Sequence, residues 1–394
     1  MTCMTPPSIR CAILHQKFYH VGHRRAFSID AKPMTSTIIV GAGVIGLFTA
    51  RELVKAGHTV TLIDRQQSGQ ESSWAGGGII SPLFPWRYPA AITRLAKLSQ
   101  GLYEPALTEM TAVTGYDPEY LQSGMLAIGD YSTEQPETWQ KAFDVDMQKV
   151  SGKDLRALAP EVSGNFDQGW WLPGIHQVRN PRLVALLKSW LATTDACLLE
   201  HEPVESISVK NGRANGVYTS QQHYKADNVV VASGAWTSRV LSHLNYDPGI
   251  RPIKGQMLLL KGPVQTVRHI TLADDRYIIP RKDGRVLVGS TTEHCGFEKK
   301  ATESVKEQLL EFGGMIVPAL KTFQLEHHWA GLRPGSSNEL PVIGQHPSIE
   351  NLYINAGHYR NGLVLAPASG RLLSEIINHQ TTSIPVDDYL PTQR

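Results

Sequence analysis

The chain has 394 residues, enough for two domains with sizeable cores. Hydrophobic residues make up 41% and the formal net charge is +2, the balance of a soluble globular protein without the basic excess that marks a nucleic-acid partner. Its cysteines, Cys3, Cys11, Cys197 and Cys295, form no Cys-x-x-Cys pair and have no histidine at ligand spacing, so no metal site or disulfide framework is expected and a reducing compartment, the cytoplasm, fits.

Residues 1–33 carry Arg10, Lys17, Arg24, Arg25 and Lys32 against a single acid, Asp30. Two readings suit such a basic leader: an organelle transit peptide, or an over-extended start with Met34 as the real beginning. The lack of amphipathic periodicity favours the second, and both leave the segment out of the fold. The apolar run from 37 to 48 is broken by three glycines and is too short to span a bilayer. No other stretch reaches spanning length, so no membrane partner is expected.

Thr37-Ile38-Ile39-Val40 is a β-branched run that predicts a buried parallel strand. Gly41-Ala42-Gly43-Val44-Ile45-Gly46 follows at once, then a helix over 44–56 with Leu47, Ala50, Leu53 and Val54 at helical spacing and Gly57 as its stop. A second strand, 58–63, closes on Asp64. Gly41 permits the strand-to-helix turn, Gly43 lets the backbone approach a pyrophosphate, and Gly46 lets helix and strand pack closely. Val44 and Ile45 then carry first-turn N–H groups that face an anion. Asp64, with Arg65 beside it, is placed to accept from an adenosine ribose, which argues for a dinucleotide without a 2′-phosphate. The loop over 69–78, with Glu71, Ser72, Ser73, Gly76, Gly77 and Gly78, is small and polar enough to lie against a flavin, which favours FAD over NAD.

Further along, 228–232 and 352–356 are two more short apolar strands, ending at Ser233-Gly234 and Gly357. Three such strands lying far apart in sequence predict a discontinuous cofactor domain. Residues 256–260 and a hairpin over 277–289, turning at Asp283-Gly284, predict a separate antiparallel sheet. After Gly357-His358-Tyr359-Arg360-Asn361-Gly362 a helix over 363–377 would aim its N-terminus at a flavin edge that gains negative charge on reduction. Arg333 and Arg360 are the cations suited to an amino-acid carboxylate, because the guanidinium fork binds two oxygens at once. Trp74 and Trp86 flank 81–85; they either pack in a core or wall a small substrate pocket.

The wording of Gly331-Leu332-Arg333-Pro334, Pro341-Val342-Ile343-Gly344 and 357–362, taken with 41–46, resembles the FAD site of the D-amino-acid oxidase superfamily, and within it the glycine oxidases of bacterial thiamine biosynthesis. The resemblance covers residues 36 to about 380. It implies an α/β fold with a discontinuous Rossmann-like FAD-binding domain and a second, α+β substrate domain built on an antiparallel sheet. We assign 34–85, 174–247 and 327–383 to the first, 86–173 and 248–326 to the second, and 384–394 to a tail. In such enzymes the 69–78 loop follows the FAD pyrophosphate to the isoalloxazine, the backbone of Val204 meets the adenine, and Gly234 lies along the cofactor. His358, Tyr359, Arg360, Asn361, Gly362, Leu363 and Val364 then line the flavin. Arg333 anchors the substrate carboxylate, with Tyr277 hydrogen-bonded to it and Arg360 nearby. The C-terminal motifs hold no cysteine, so FAD is expected to be noncovalent. Asp275 stands where the family carries a variable polar residue, which leaves substrate preference open.

The activity implied is oxidative deamination of glycine, with sarcosine and small D-amino acids as further substrates. Products are glyoxylate, ammonia and, from O2, hydrogen peroxide. Hydride passes from Cα to flavin N5, so no catalytic acid or base is needed. The resemblance further implies a homotetramer and a thiazole synthase as partner. Three alternatives are a D-amino-acid dehydrogenase with a quinone-type acceptor, a flavin-dependent RNA-modifying enzyme, against which the near-neutral charge counts, and a flavin-holding subunit without catalysis.

Overall fold

A computed structural model describes residues 34–129 and 133–392; the expectation for 1–33 lies outside them. Ser36–Val40 and Thr59–Ile63 are parallel neighbours, with Ile39 opposite Leu62. The helix Val44–Lys55 joins them and stops at Ala56 and Gly57, whose φ of +86° suits a glycine. Asn228–Val231 pairs with the other side of Ser36–Val40, and Leu352–Ala356 lies beyond it, so the three glycine-ended strands are adjacent. Cys197–Leu199 and Val342–Gln345 complete a six-stranded sheet in which only Val342–Gln345 runs antiparallel. The central strands are buried on both faces, which is why they read as continuous apolar runs instead of alternating ones.

A second sheet has eight strands. Its order is Gln324–Gly335, Arg251–Lys261, Arg285–Gly289, Arg276–Pro280, Ile270–Ala273, Met125–Ile128, Gln168–Leu172 and Gln148–Ser151. Neighbours are antiparallel except Ile270–Ala273 with Met125–Ile128. The expected hairpin is present over 276–289, with Gly284 at φ +79° in its turn.

Two assigned segments divide differently from the sequence expectation. Residues 327–335, grouped with the cofactor segments, instead extend the edge strand Gln324–Gly335, paired along its length with Arg251–Lys261. Arg333 therefore stands on the eight-stranded sheet. The helix Ala90–Thr114, grouped with the substrate segments, buries Ile92, Leu95, Ala96, Tyr103, Leu107 and Met110 in the core shared with the first and last helices. Its apolar stripe at helical spacing has a face to cover only there. Among the described residues no helix is long and apolar enough to cross a membrane.

Candidate cofactor and substrate site

A cavity of about 390 Å³ opens where the C-terminal ends of Ser36–Val40, Asn228–Val231 and Leu352–Ala356 meet the eight-stranded sheet. This is the crevice in which open α/β sheets bind ligands. Gly41 takes φ +106°, closed to most side chains, and a Cβ on Gly46 would lie 2.0 Å from the Gly41 carbonyl. Gly46 therefore serves helix packing and does not itself line the cavity. Gly43, Val44 and Ile45 do line it. The helix they begin has no side-chain cap and no acid in its first turn; the Val44 N–H donates to Ser73 Oγ at 2.8 Å.

Asp64 accepts from the Ala42 N–H at 2.8 Å and the Gln66 N–H at 3.0 Å, one on each carboxylate oxygen, so each oxygen keeps acceptor capacity. Burial raises its pKa against the pull of those two bonds. Arg65 stacks over Trp236 at 3.8 Å and pairs with Glu71 at 2.7 Å. Glu71 also takes Lys299 at 2.9 Å and Gln66 at 2.8 Å, so its carboxylate is committed to cross-linking the loop. Ser72, Ser73, Gly76, Gly77 and Gly78 line the cavity with it, as do Val204 and Gly234. A Cβ on Gly77 would sit 2.6 Å from Ile279 Cδ1, so that side chain would have to shift.

From the C-terminal part, His358, Tyr359, Arg360, Gly362 and Leu363 line the same cavity. Asn361 and Val364 do not, contrary to expectation. Asn361 is the buried N-cap of Gly362–Ile377, and Val364 turns into the core on the next helical positions. The His358 imidazole points away from the cavity to Ser369 Oγ, 2.9 Å distant, and burial takes its pKa down to about 3, so it is neutral. The helix has no side-chain cap and no acid in its first turn. Pro367 supplies no N–H to the Leu363 carbonyl, and the Tyr103 hydroxyl donates to that carbonyl at 2.5 Å instead.

Arg333 faces the cavity from the edge strand. Its guanidinium lies over Gly255, where a Cβ would fall 2.2 Å from Nη2 and 2.4 Å from Nη1. Nη1 donates to the carbonyls of Thr291 at 3.0 Å and Lys254 at 3.4 Å, and Nη2 to Ser290 Oγ at 2.6 Å. These bonds fix the guanidinium plane against the segment 290–291, and the Tyr277 hydroxyl is a further hydrogen-bond partner of the same group. Burial lowers its pKa, Tyr277 opposes the shift and Arg360 adds to it; the group stays cationic. Tyr277 is buried; its hydroxyl donates to the Met257 sulfur at 3.4 Å, a weak acceptor, and it is also a hydrogen-bond partner of the Arg333 guanidinium. Arg360 donates to Thr292 Oγ1 at 2.5 Å. Trp74 and Trp86 do not line this cavity: Trp74 packs edge-on against Trp329, and Trp86 sits in a core with Phe84 and Trp139. Asp275 pairs with Arg87 at the surface.

The sequence reading did not single out Gly255, Ser290 or Met257. Gly255 carried little signal, since it stands before the strand expected over 256–260 between Lys254 and Gln256, and only its pairing with Gly331 brings it under Arg333. Ser290 carried none, because its role depends on pairing between distant segments.

The donor set fits FAD. Two helix N-termini without an acid in their first turn open on one cavity, one beneath a glycine turn suited to a pyrophosphate, and a ribose-competent carboxylate stands at the end of the second strand. Neither Cys197 nor Cys295 lines it.

Sheet, glycine turn and cavity together define a flavin-dependent oxidoreductase. Residues 36–376 match the FAD dependent oxidoreductase family, and the chain belongs to that family, with FAD as its cofactor. It is 41% identical over 359 residues to the glycine oxidase of Pseudomonas aeruginosa, covering 91% of this chain and 98% of that protein. It is 28% identical to the bifunctional protein ThiO/ThiG of a Synechocystis species, covering 91% of this chain and 54% of that one. The crystal structure of glycine oxidase from Geobacillus kaustophilus superposes with a TM-score of 0.86 at 26% identity, covering 92% of this chain and all of the other.

Proposed function

We propose that this enzyme oxidises glycine, with sarcosine and small D-amino acids as further substrates. The observation that carries the proposal is the Arg333 guanidinium, held in place by Ser290 and Thr291 in a cavity wall shared with Tyr277 and Arg360. FAD, held by the glycine turn and Asp64, would supply the two-electron acceptor that converts the substrate amine to an imine and would return the electrons to O2 as hydrogen peroxide; hydrolysis of the glycine imine gives glyoxylate and ammonia. The chain's own part is positioning. Arg333 holds the carboxylate with its guanidinium, Tyr277 turns its hydroxyl from the sulfur to a carboxylate oxygen, and Arg360 adds a second positive charge. His358, neutral and tied to Ser369, takes no part in proton transfer.

In this proposal the six-stranded sheet with its glycine turn holds noncovalent FAD, the eight-stranded sheet supplies Arg333 and Tyr277, and Arg360 comes from the segment after Leu352–Ala356. Similarity to glycine oxidases along almost the whole chain supports the substrate choice. A cytoplasmic homotetramer working with a thiazole synthase belongs to the same proposal. The bifunctional ThiO/ThiG relative, about half of which this chain spans, supports a second activity alongside it. Anaerobic addition of glycine to the yellow protein tests the reading: the flavin band bleaches, then recovers with O2 and releases peroxide. Bleaching only with larger D-amino acids, followed by sluggish recovery in O2, would refute it in favour of a quinone-linked dehydrogenase.

A further inference from the structure

We propose that Ser290-Thr291-Thr292 positions both cavity arginines and that the ion pair of Lys254 with Glu293 locks this segment, making Glu293 a positioning residue for substrate binding. The inference rests on the carboxylate role proposed for Arg333. Three consecutive residues each offer an oxygen to a guanidinium. Ser290 Oγ and the Thr291 carbonyl accept from Arg333 at 2.6 and 3.0 Å, and Thr292 Oγ1 accepts from Arg360 at 2.5 Å. Two cations on different elements are thus registered against one short stretch of chain.

What fixes that stretch lies outside the cavity. Glu293 meets Lys254 Nζ at 2.9 Å, and Gln256 Nε2 donates to it at 2.9 and 3.2 Å. The Thr291 hydroxyl donates to Glu293 at 2.5 Å while accepting the Gln256 N–H at 3.0 Å. The backbones of Lys254 and Glu293 exchange two hydrogen bonds of 2.9 Å. Lys254 and Gln256 are buried, at 3% and 0% exposure. Burial pushes the Glu293 carboxyl up, but the bonds from Thr291, Lys254 and Gln256 carry it below its ordinary value, so the pair is charged. Lys254 is buried and Glu293 half-buried, so the pair adds little net stability over an apolar replacement, whereas it does fix geometry. Here the geometry it fixes is that of the Thr291 and Lys254 carbonyls on which Arg333 Nη1 rests. Glu293 touches neither Arg333 nor the cavity.

The test titrates acetate into oxidised holoenzyme, reading the flavin absorbance for a dissociation constant, and measures KM and kcat for glycine in parallel. Wild type, Glu293→Gln, Arg333→Ala and the double variant are compared. Glu293→Gln should weaken acetate and raise KM about tenfold, leave kcat within about twofold and FAD content unchanged, and add nothing in the Arg333→Ala background. If Arg333→Ala weakens acetate and Glu293→Gln does not, the positioning role is overturned while the anchor stands. If Arg333→Ala leaves acetate binding intact, the anchor and the positioning role both fall. Should Glu293→Gln fail to fold, Thr291→Val decides: it removes only the bridging hydroxyl. A weakened acetate complex restored by Thr291→Ser supports the role, and an unchanged one overturns it.

Discussion

Gly255→Ala isolates the placement of Arg333 from its presence. The added Cβ would lie 2.2, 2.4 and 2.5 Å from Nη2, Nη1 and Cζ, whereas ordinary contact begins near 3.4 Å. The guanidinium must move by roughly 1 Å, and a displacement of that size at a positioning group costs on the order of a hundredfold in kcat/KM, or roughly 2.7 kcal/mol. It cannot move freely, because Ser290 and Thr291 hold its other side. Gly255 is not in the left-handed region, so alanine suits the strand backbone and removes unfolded-state freedom, a gain of roughly 0.4–1 kcal/mol. The expected result is a protein that folds with full FAD, the backbone gain offset by the displaced guanidinium, yet has lost about two orders of magnitude in kcat/KM for glycine. The assay is peroxide release against glycine concentration, normalised to flavin absorbance, with a thermal melt. Unaltered kcat/KM in a fully flavinylated Gly255→Ala protein would refute the claim that Arg333 works from this pose.

Three further outcomes follow from single groups. Arg333→Lys keeps the charge but loses the paired donors, so the glycine KM should rise by about ten- to a hundredfold with FAD content unchanged; an unchanged KM in steady-state kinetics would show that no fork is needed. Asp64→Ala removes the proposed ribose acceptor and the clamp on the Ala42 and Gln66 N–H groups, so FAD should dissociate at least about tenfold more readily. Full retention on extended dialysis counts against the ribose contact. His358 has a folded pKa of about 3 against an ordinary 6.5. Below pH 6.5 the unfolded chain takes a proton that the native state refuses, so stability falls as pH falls through this window toward 3. Relative to His358→Gln, which keeps a donor for Ser369, wild type should lose about 1.6 kcal/mol between pH 6.5 and 5 in chemical denaturation. Parallel pH profiles of the two proteins would sink this assignment.

The parts of the fold legible in the sequence were those whose signals are local. The unit from Ser36 to Asp64 declares itself by a β-branched run, a glycine turn and a helical period, all within thirty residues of each other. Leu352–Ala356 and Gly362–Ile377 were legible for the same reason. The helix Ala90–Thr114 was not, because Gly101 and Pro105 interrupt its pattern and its partner helices lie far away in sequence. Side-chain direction was equally out of reach. His358, Asn361 and Val364 stand in one motif, yet two of them turn away from the cavity entirely and the third offers it no imidazole.

Arg333 shows where the division falls. The tetrapeptide Gly331-Leu332-Arg333-Pro334 marks the arginine, and a motif can do no more, since it does not say which N–H groups are free. That depends on Lys254 and Gly255 in one strand and on Ser290 and Thr291 beyond another, brought together only by the register that sets Gly255 opposite Gly331 and Met257 opposite Gly289. A shift of one residue in that register would send the alternating side chains to the opposite face and remove both the gap over Gly255 and the oxygens that occupy Nη1 and Nη2. The chemistry proposed for the arginine is therefore a property of the sheet. Substitutions at Gly255 and Ser290 should impair glycine oxidation more than changes at Pro334, which lines the cavity beside the arginine but shares no hydrogen bond with its guanidinium.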